Sequence, residues 1–125
     1  EGIPNTEVWE FARYTSDRAS ESVGYYEKAQ FVLAMRGHAQ IVPIAFNTPV
    51  ISLENHPKHV GLMQKLGIEN YNVTLGGNNF SEVLLQKVSL LEFSRQEYRE
   101  NLIRINLNIA NQTAEAFRVI TSRLV

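Results

Sequence analysis

Cysteine is absent, which excludes disulfide staples, thiolate nucleophiles and cysteine-ligated zinc. The absence also fits a reducing, cytoplasmic setting. Neither sign of charge dominates: twelve Lys and Arg stand against thirteen Asp and Glu, a formal net charge of −1. The basic residues are scattered, so nothing marks a surface for nucleic acid or an anionic membrane. No apolar run reaches the length of a membrane span, and no stretch reads as a secretory signal. Internal repeats and low-complexity tracts are lacking as well. What is present is 125 residues, 44% hydrophobic and 20% charged, the composition of one globular domain able to bury a single core. The chain opens on Glu1 rather than methionine and runs at once toward a strand-like segment. Either a leading segment has been cleaved or the chain is a piece excised from a longer protein, and the second reading is preferred.

The apolar pattern alternates between two periods. Val8 to Ala12 reads as a strand, and Ser20 to Ala29 as a short helix with Val23, Tyr26 and Ala29 on one face. Phe31 to Met35 is a continuous apolar run, as expected of a strand covered on both sides. Ala39 to Phe46 is helix-compatible and ends at Asn47-Thr48. Pro49 to Leu53 forms a second buried strand. Asn55-His56-Pro57 opens the next helix, with Asn55 as the expected cap and proline in the first turn. Val60, Met63 and Leu66 follow at helical spacing, and Gly67 is placed to end that helix. Tyr71 to Leu75 is a fourth strand, and the Gly76-Gly77-Asn78-Asn79 loop after it lacks any phosphate-loop pattern.

Strands alternating with helices through short links imply parallel βαβ units. Residues 1–79 thus read as a βαβαβαβ core and 80–125 as a helical segment of the same domain. Ser81 to Glu92 is a helix. Ser94-Arg95-Gln96-Glu97 then has the form of a capping box, opening a second helix that runs to about Ser122. Tyr98, Leu102, Ile105, Ile109, Ala116, Phe117 and Ile120 form its apolar stripe. At ~1.5 Å per residue this helix is about 40 Å long, more than a four-strand domain needs.

In an open parallel sheet, ligands bind at the carboxyl ends of strands, where loops meet helix N-termini. The segment AMRGHAQIVPIAFNTPVISL places Arg36, Gly37 and His38 at such an end. Pro43 is unwelcome deep in a helix, which sets the helix start near Ala39 or Gln40 and leaves the three residues in the turn. Free amides there favour an anion. Arg36 adds a fork for carboxylate or phosphate, and Gly37 permits close approach of the backbone. His38 has the chemistry of a general acid or base. The same residues equally fit plainer roles, with Arg36 in a structural ion pair and His38 as a capping group. Asn55, His56 and Lys58 lie at the end of the next strand, on the same edge, with Lys58 as a second positive charge. His56 and His59 stand three apart on one helix face and offer two metal ligands, but a third is not evident. No metal or organic cofactor is expected.

The stretch from Tyr25 to Leu75 resembles the C-terminal signature of the polysaccharide pyruvyl transferases. In that family an apolar strand ends in Arg-x-His and is followed by a small-residue helix and a Pro-Val strand. A lysine-bearing helix then ends in Leu-Gly. The matching residues are Arg36 and His38, Pro49-Val50, Lys58, and Leu66-Gly67. The chain differs in having Gly37 where a bulkier apolar residue is usual, and Asn55-His56 where an aromatic or Asp often precedes the lysine.

The resemblance implies an α/β fold: a three-layer, Rossmann-like parallel sheet of about four strands with a long C-terminal helix, similar to the C-terminal half of a GT-B glycosyltransferase. It implies phosphoenolpyruvate as co-substrate and a saccharide acceptor held by a missing N-terminal domain. The product would be a pyruvate ketal on a cell-surface polysaccharide. A lipid-linked acceptor would place the enzyme at the membrane periphery. Arg36 and Lys58 would hold the anion and His38 would move the proton, while this piece alone would not turn over. Two other readings stand beside it: the nucleotide-sugar-binding half of a GT-B enzyme, and a non-catalytic interaction domain whose long helix packs on a partner.

Overall fold

The computed structural model describes Thr6 and residues 16–124. The strand expected at Val8 to Ala12 lies outside the described residues. The remaining elements follow in the expected alternation. They are α1 (Ser16–Lys28), β1 (Val32–Ala34), α2 (Gly37–Ala45), β2 (Val50–Glu54), α3 (Pro57–Lys65), a 3-10 turn (Glu69–Tyr71), β3 (Asn72–Thr74) and α4 (Phe80–Leu124). The chain is a mixed α/β fold around a small three-stranded sheet of order β1-β2-β3.

Both strand pairs are parallel, with Val32 opposite Val50 and Ala34 opposite Ser52, then Ser52 opposite Asn72 and Glu54 opposite Thr74. The central strand explains its own composition. Val50, Ile51 and Ser52 are all fully buried, so side chains on both faces of β2 are covered, as in strands between two crossover helices. Ile51, Met63, Val73, Leu91 and Leu102 form the heart of the core. Two of these come from α4, which therefore belongs to the domain along its first half.

The helix ends are set by backbone conformation. Gly67 takes a left-handed φ of +68° just past α3, where an L side chain would be strained. Asn47 takes the same conformation past α2, at φ 59°. Its Oδ1 accepts from Asn106 Nδ2 on α4 at 2.8 Å, and the same amide donates to the Ile44 carbonyl at 2.8 Å. Thr48, fully buried, donates from Oγ1 to the Tyr26 carbonyl at 2.8 Å and ties α1 to the start of β2.

Two expectations are corrected. Pro43 does not exclude its own preceding turn: α2 begins at Gly37, and Pro43 sits buried inside it. The missing amide costs one hydrogen bond, and α2 ends within a few residues, so the helix survives. The Pro43 carbonyl then accepts from both Phe46 N at 3.0 Å and Thr48 N at 2.9 Å. Likewise, the two expected C-terminal helices are one helix with an interruption. Ser94 has non-helical angles, φ −108° and ψ 15°. Its hydroxyl does not cap a new helix but donates back to the Leu90 carbonyl at 2.7 Å, a bond that bends helices. With its one hydrogen so used, Ser94 Oγ accepts from Tyr71 Oη at 2.8 Å.

Tyr71 in turn stacks on Tyr98, ring centroids 4.1 Å apart at 12°. Tyr98 is buried and donates to the Val50 carbonyl at 3.0 Å, fastening α4 to β2. Burial pushes the Tyr98 hydroxyl well above its ordinary titration range, because the phenolate would be poorly solvated there.

The predicted stripe divides in two. Tyr98 and Leu102 are core and Ile105 is half-buried, whereas every residue from Leu107 to Arg123 is exposed.

Candidate functional site

The candidate residues lie where β1 and β2 hand over to helices. β1 ends at Ala34, and Arg36 is the N-cap of α2, with φ −130° and ψ 152°. Its side chain makes no capping bond. The first helical bond runs from Gln40 N to the Arg36 carbonyl at 3.1 Å. The amides of Gly37, His38 and Ala39 therefore precede the hydrogen-bonded ladder, as at any helix start. Gly37 and His38 belong to the first turn of α2, not to a loop before it.

Arg36 and His38 are exposed, as are Asn55, His56 and Lys58. Among the described residues Arg36, His38 and Lys58 make no ion pair. The plain structural role open to Arg36, neutralising a nearby carboxylate, is therefore not taken up by any described residue.

α3 begins differently. Its N-cap is His56 rather than the expected Asn55, and His56 Nδ1 accepts from Lys58 N at 3.1 Å. An accepting Nδ1 fixes the tautomer with the proton on Nε2. Pro57 occupies the first helical position, where its missing amide is no loss. His56 is therefore a helix cap, with Nε2 free to face a ligand. His59 lies behind it, half-buried, with ring centroids 6.2 Å apart. Among the described residues no group of three or more His, Cys, Asp or Glu side chains converges to hold a metal ion.

Because β1 and β2 are adjacent and parallel, the Arg36–His38 and Asn55–Lys58 segments stand at the same edge of the sheet. The described strands run in consecutive order without a reversal, so they do not themselves form the switch-point crevice of doubly wound folds. The edge is open. Glu54, the last residue of β2 and the first of the second candidate segment, had no role assigned from sequence; it accepts from Thr74 Oγ1 at 3.1 Å. Only the register pairing Glu54 with Thr74 reveals that contact.

A separate cleft of about 340 Å³ opens at the opposite edge, beside the α4 bend, and is lined by Tyr71, Ser94, Glu97, Asn101 and Arg104 among others. None of the candidate residues reaches it. Compared with known proteins, the chain matches no family model, no curated protein and no solved structure.

Proposed function

We propose that the chain is the phosphoenolpyruvate-binding half of a pyruvyl transferase, a Rossmann-like domain akin to the C-terminal half of a GT-B fold. The observation that carries the reading is the exposed Arg36, without an ion-pair partner among the described residues, at the uncapped start of α2, beside the Lys58 turn on the same sheet edge. Two positive side chains and a row of helix-start amides suit a ligand with a carboxylate and a phosphate. The likeness of Tyr25–Leu75 to the family signature supplies the identity of that ligand; geometry supplies only its charge.

In the proposed reaction two acceptor hydroxyls add in turn to C2 of the enolpyruvyl unit. One of their protons goes to C3, and phosphate leaves with the other. His38 is the group that passes the proton. Arg36, Lys58 and the Gly37 amide hold the anion, with Asn55 and the His56 Nε2–H as further donors. The acceptor sugar is held by a domain outside this chain, and the chain alone gives no turnover.

The test is NMR titration of this chain with phosphoenolpyruvate and, separately, with UDP. Phosphoenolpyruvate is expected to shift the amides of Gly37, His38 and Lys58. Arg36→Ala is expected to weaken binding at least about tenfold, the scale of a lost charged hydrogen-bond pair. No response, or one indifferent to Arg36→Ala, refutes the proposal. Saturable UDP binding at this edge transfers the domain to the nucleotide-sugar enzymes. The third reading, an interaction domain, has in its favour the exposed apolar face of outer α4.

A further inference from the structure

The cleft beside the α4 bend, about 340 Å³ in volume, has no part in the site proposed above. Its inner wall is already committed to the fold. Ser94 Oγ donates to the Leu90 carbonyl and accepts from Tyr71 Oη, and the Tyr71 ring is stacked on buried Tyr98. The bend at Ser94 is therefore held from both sides, and the cleft is formed before any ligand arrives. Its volume falls at the small end of the range for ligand pockets.

Three side chains of α4 that line the cleft are not used by the fold. Glu97, Asn101 and Arg104 follow one another at spacings of four and three, so they share one face of the helix. Arg104 lies one turn after Glu100, in the order that favours an ion pair along a helix. It makes none. Glu100 instead accepts from Gln96 Nε2 at 2.9 Å. The Arg104 guanidinium turns toward the cleft, where Nη2 donates to Asn101 Oδ1 at 3.2 Å. That bond occupies the oxygen of Asn101 and leaves its Nδ2–H groups as donors beside the guanidinium. Glu97 has no cation among its helix neighbours, which are Phe93, Ser94, Glu100 and Asn101. Among the described residues its carboxylate has no hydrogen-bond or ion-pair partner. Glu97 and Arg104 stand roughly 10 Å apart along the helix axis, so an acid and a base line one cleft without meeting.

We propose that this cleft binds a free amino acid with an apolar side chain. The ligand carboxylate accepts from Arg104 and Asn101, and the ligand ammonium donates to Glu97. The side chain lies toward the Tyr71 end, where Leu90 is 41% exposed. A simple anion would have Glu97 as a repelling neighbour, and a simple cation would have Arg104. A zwitterion satisfies both. A peptide fits less well, because its ammonium and carboxylate lie at opposite ends of the chain. Glu97 and Arg104 are exposed, and solvent screening weakens such contacts. A dissociation constant of about 1 mM is therefore expected. The site shares no residue with the Arg36 edge, so either reading stands if the other fails.

NMR titration of the full chain with L-leucine tests the proposal. Saturable shifts are expected at the amides of Glu97, Asn101 and Arg104, with those of Gly37 and His38 unmoved. L-Leucinamide lacks the carboxylate and 4-methylpentanoate lacks the ammonium. Each should bind at least about tenfold more weakly, the scale of a lost charged hydrogen bond. L-Alanine should also be weaker, because less apolar surface leaves water. Glu97→Gln and Arg104→Gln, both at exposed positions, should leave the urea midpoint unchanged and weaken L-leucine about tenfold. Glu97→Gln should bind 4-methylpentanoate no more weakly than the wild type does, and Arg104→Gln should do the same for L-leucinamide. A merely structural role for either residue predicts no such pairing of variant with ligand. Absence of saturable shifts at about 20 mM L-leucine, well above the expected dissociation constant, overturns the proposal. So does an equal response to L-leucine, L-leucinamide and 4-methylpentanoate, or an L-leucine affinity indifferent to both variants.

Discussion

Removing one oxygen, Tyr98→Phe, should produce a stability difference that disappears at high pH. Tyr98 Oη donates to the Val50 carbonyl at 3.0 Å inside the core. Its loss removes one hydrogen bond and strands a buried acceptor, together about 1.5 kcal/mol near neutral pH. The stacked ring on Tyr71 is kept, so no cavity is added. Burial holds the Tyr98 hydroxyl protonated well above its ordinary value of 10.0, whereas the unfolded chain ionises at that value. Above pH 10 the folded state therefore binds more protons than the unfolded state, and stability falls as pH rises. From this one side chain the wild type loses about 1.4 kcal/mol per pH unit above 10. The phenylalanine variant has no such loss.

The two stability curves should thus meet about one unit above the unfolded pKa, near pH 11. Urea unfolding followed by circular dichroism at half-unit steps from pH 7 to 11 measures both curves. Absorbance at 295 nm should show one tyrosine of the native wild type failing to ionise with the others. A gap that stays constant to pH 11 would refute burial as the cause of the suppressed ionisation. A difference above about 3 kcal/mol at pH 7 would mean that packing, not the hydrogen bond, had changed.

Three further outcomes follow from single contacts. Gly67→Ala meets open space but must hold φ +68°, so it should cost about 1 kcal/mol and lower the melting temperature by roughly 3–6 °C. Asn106→Ala removes both bonds that bind α4 to the end of α2 and should cost about 2 kcal/mol by urea unfolding. A cost below 0.5 kcal/mol would show that those bonds only replace water. His56→Ala should cost about 1 kcal/mol and His56→Asp should restore it, since aspartate accepts the same Lys58 amide; failure of the rescue would mean that His56 is not acting as a cap.

The alternation of strands and helices was legible because each segment declares its period. Phe31–Met35 and Pro49–Leu53 are continuous apolar runs; β2 is covered on both faces as such a run suggests, whereas β1 is not, since Leu33 and Met35 are exposed. Gly67 was legible as a stop because left-handed backbone is costly for other residues. Three features escaped for identifiable reasons. Pro43 argued for a late helix start, yet its carbonyl supports the C-terminal cap and its ring lies in the core, a tertiary gain no local rule contains. Ser94 heads a capping-box sequence, but Tyr71, distant in sequence, offered its hydroxyl another partner. Asn55 is the better intrinsic cap, and the backbone delivered His56 to that place instead. Of the candidate site, the shared sheet edge could be foreseen from parallel topology. That Arg36 has no ion-pair partner among the described residues could not, because it depends on where the carboxylates come to rest. Leu102 lies on the same apolar stripe as Ile109 but is core while Ile109 is exposed, a division that the spacing alone does not contain.

The buried contact between Gln40 and Ser52 has a consequence for the open edge. Gln40 Nε2 donates to Ser52 Oγ, and both side chains are fully buried. Gln40 lies one helical turn after Arg36, and Ser52 three residues before Asn55. The bond therefore acts as a dowel between α2 and β2: it forbids the small sliding that apolar side chains alone would tolerate. It sets the spacing between the two turns that carry the charges. Replacing both residues together, Gln40→Leu with Ser52→Ala, should leave the fold about as stable. What would go is the fixed distance between Arg36 and Lys58.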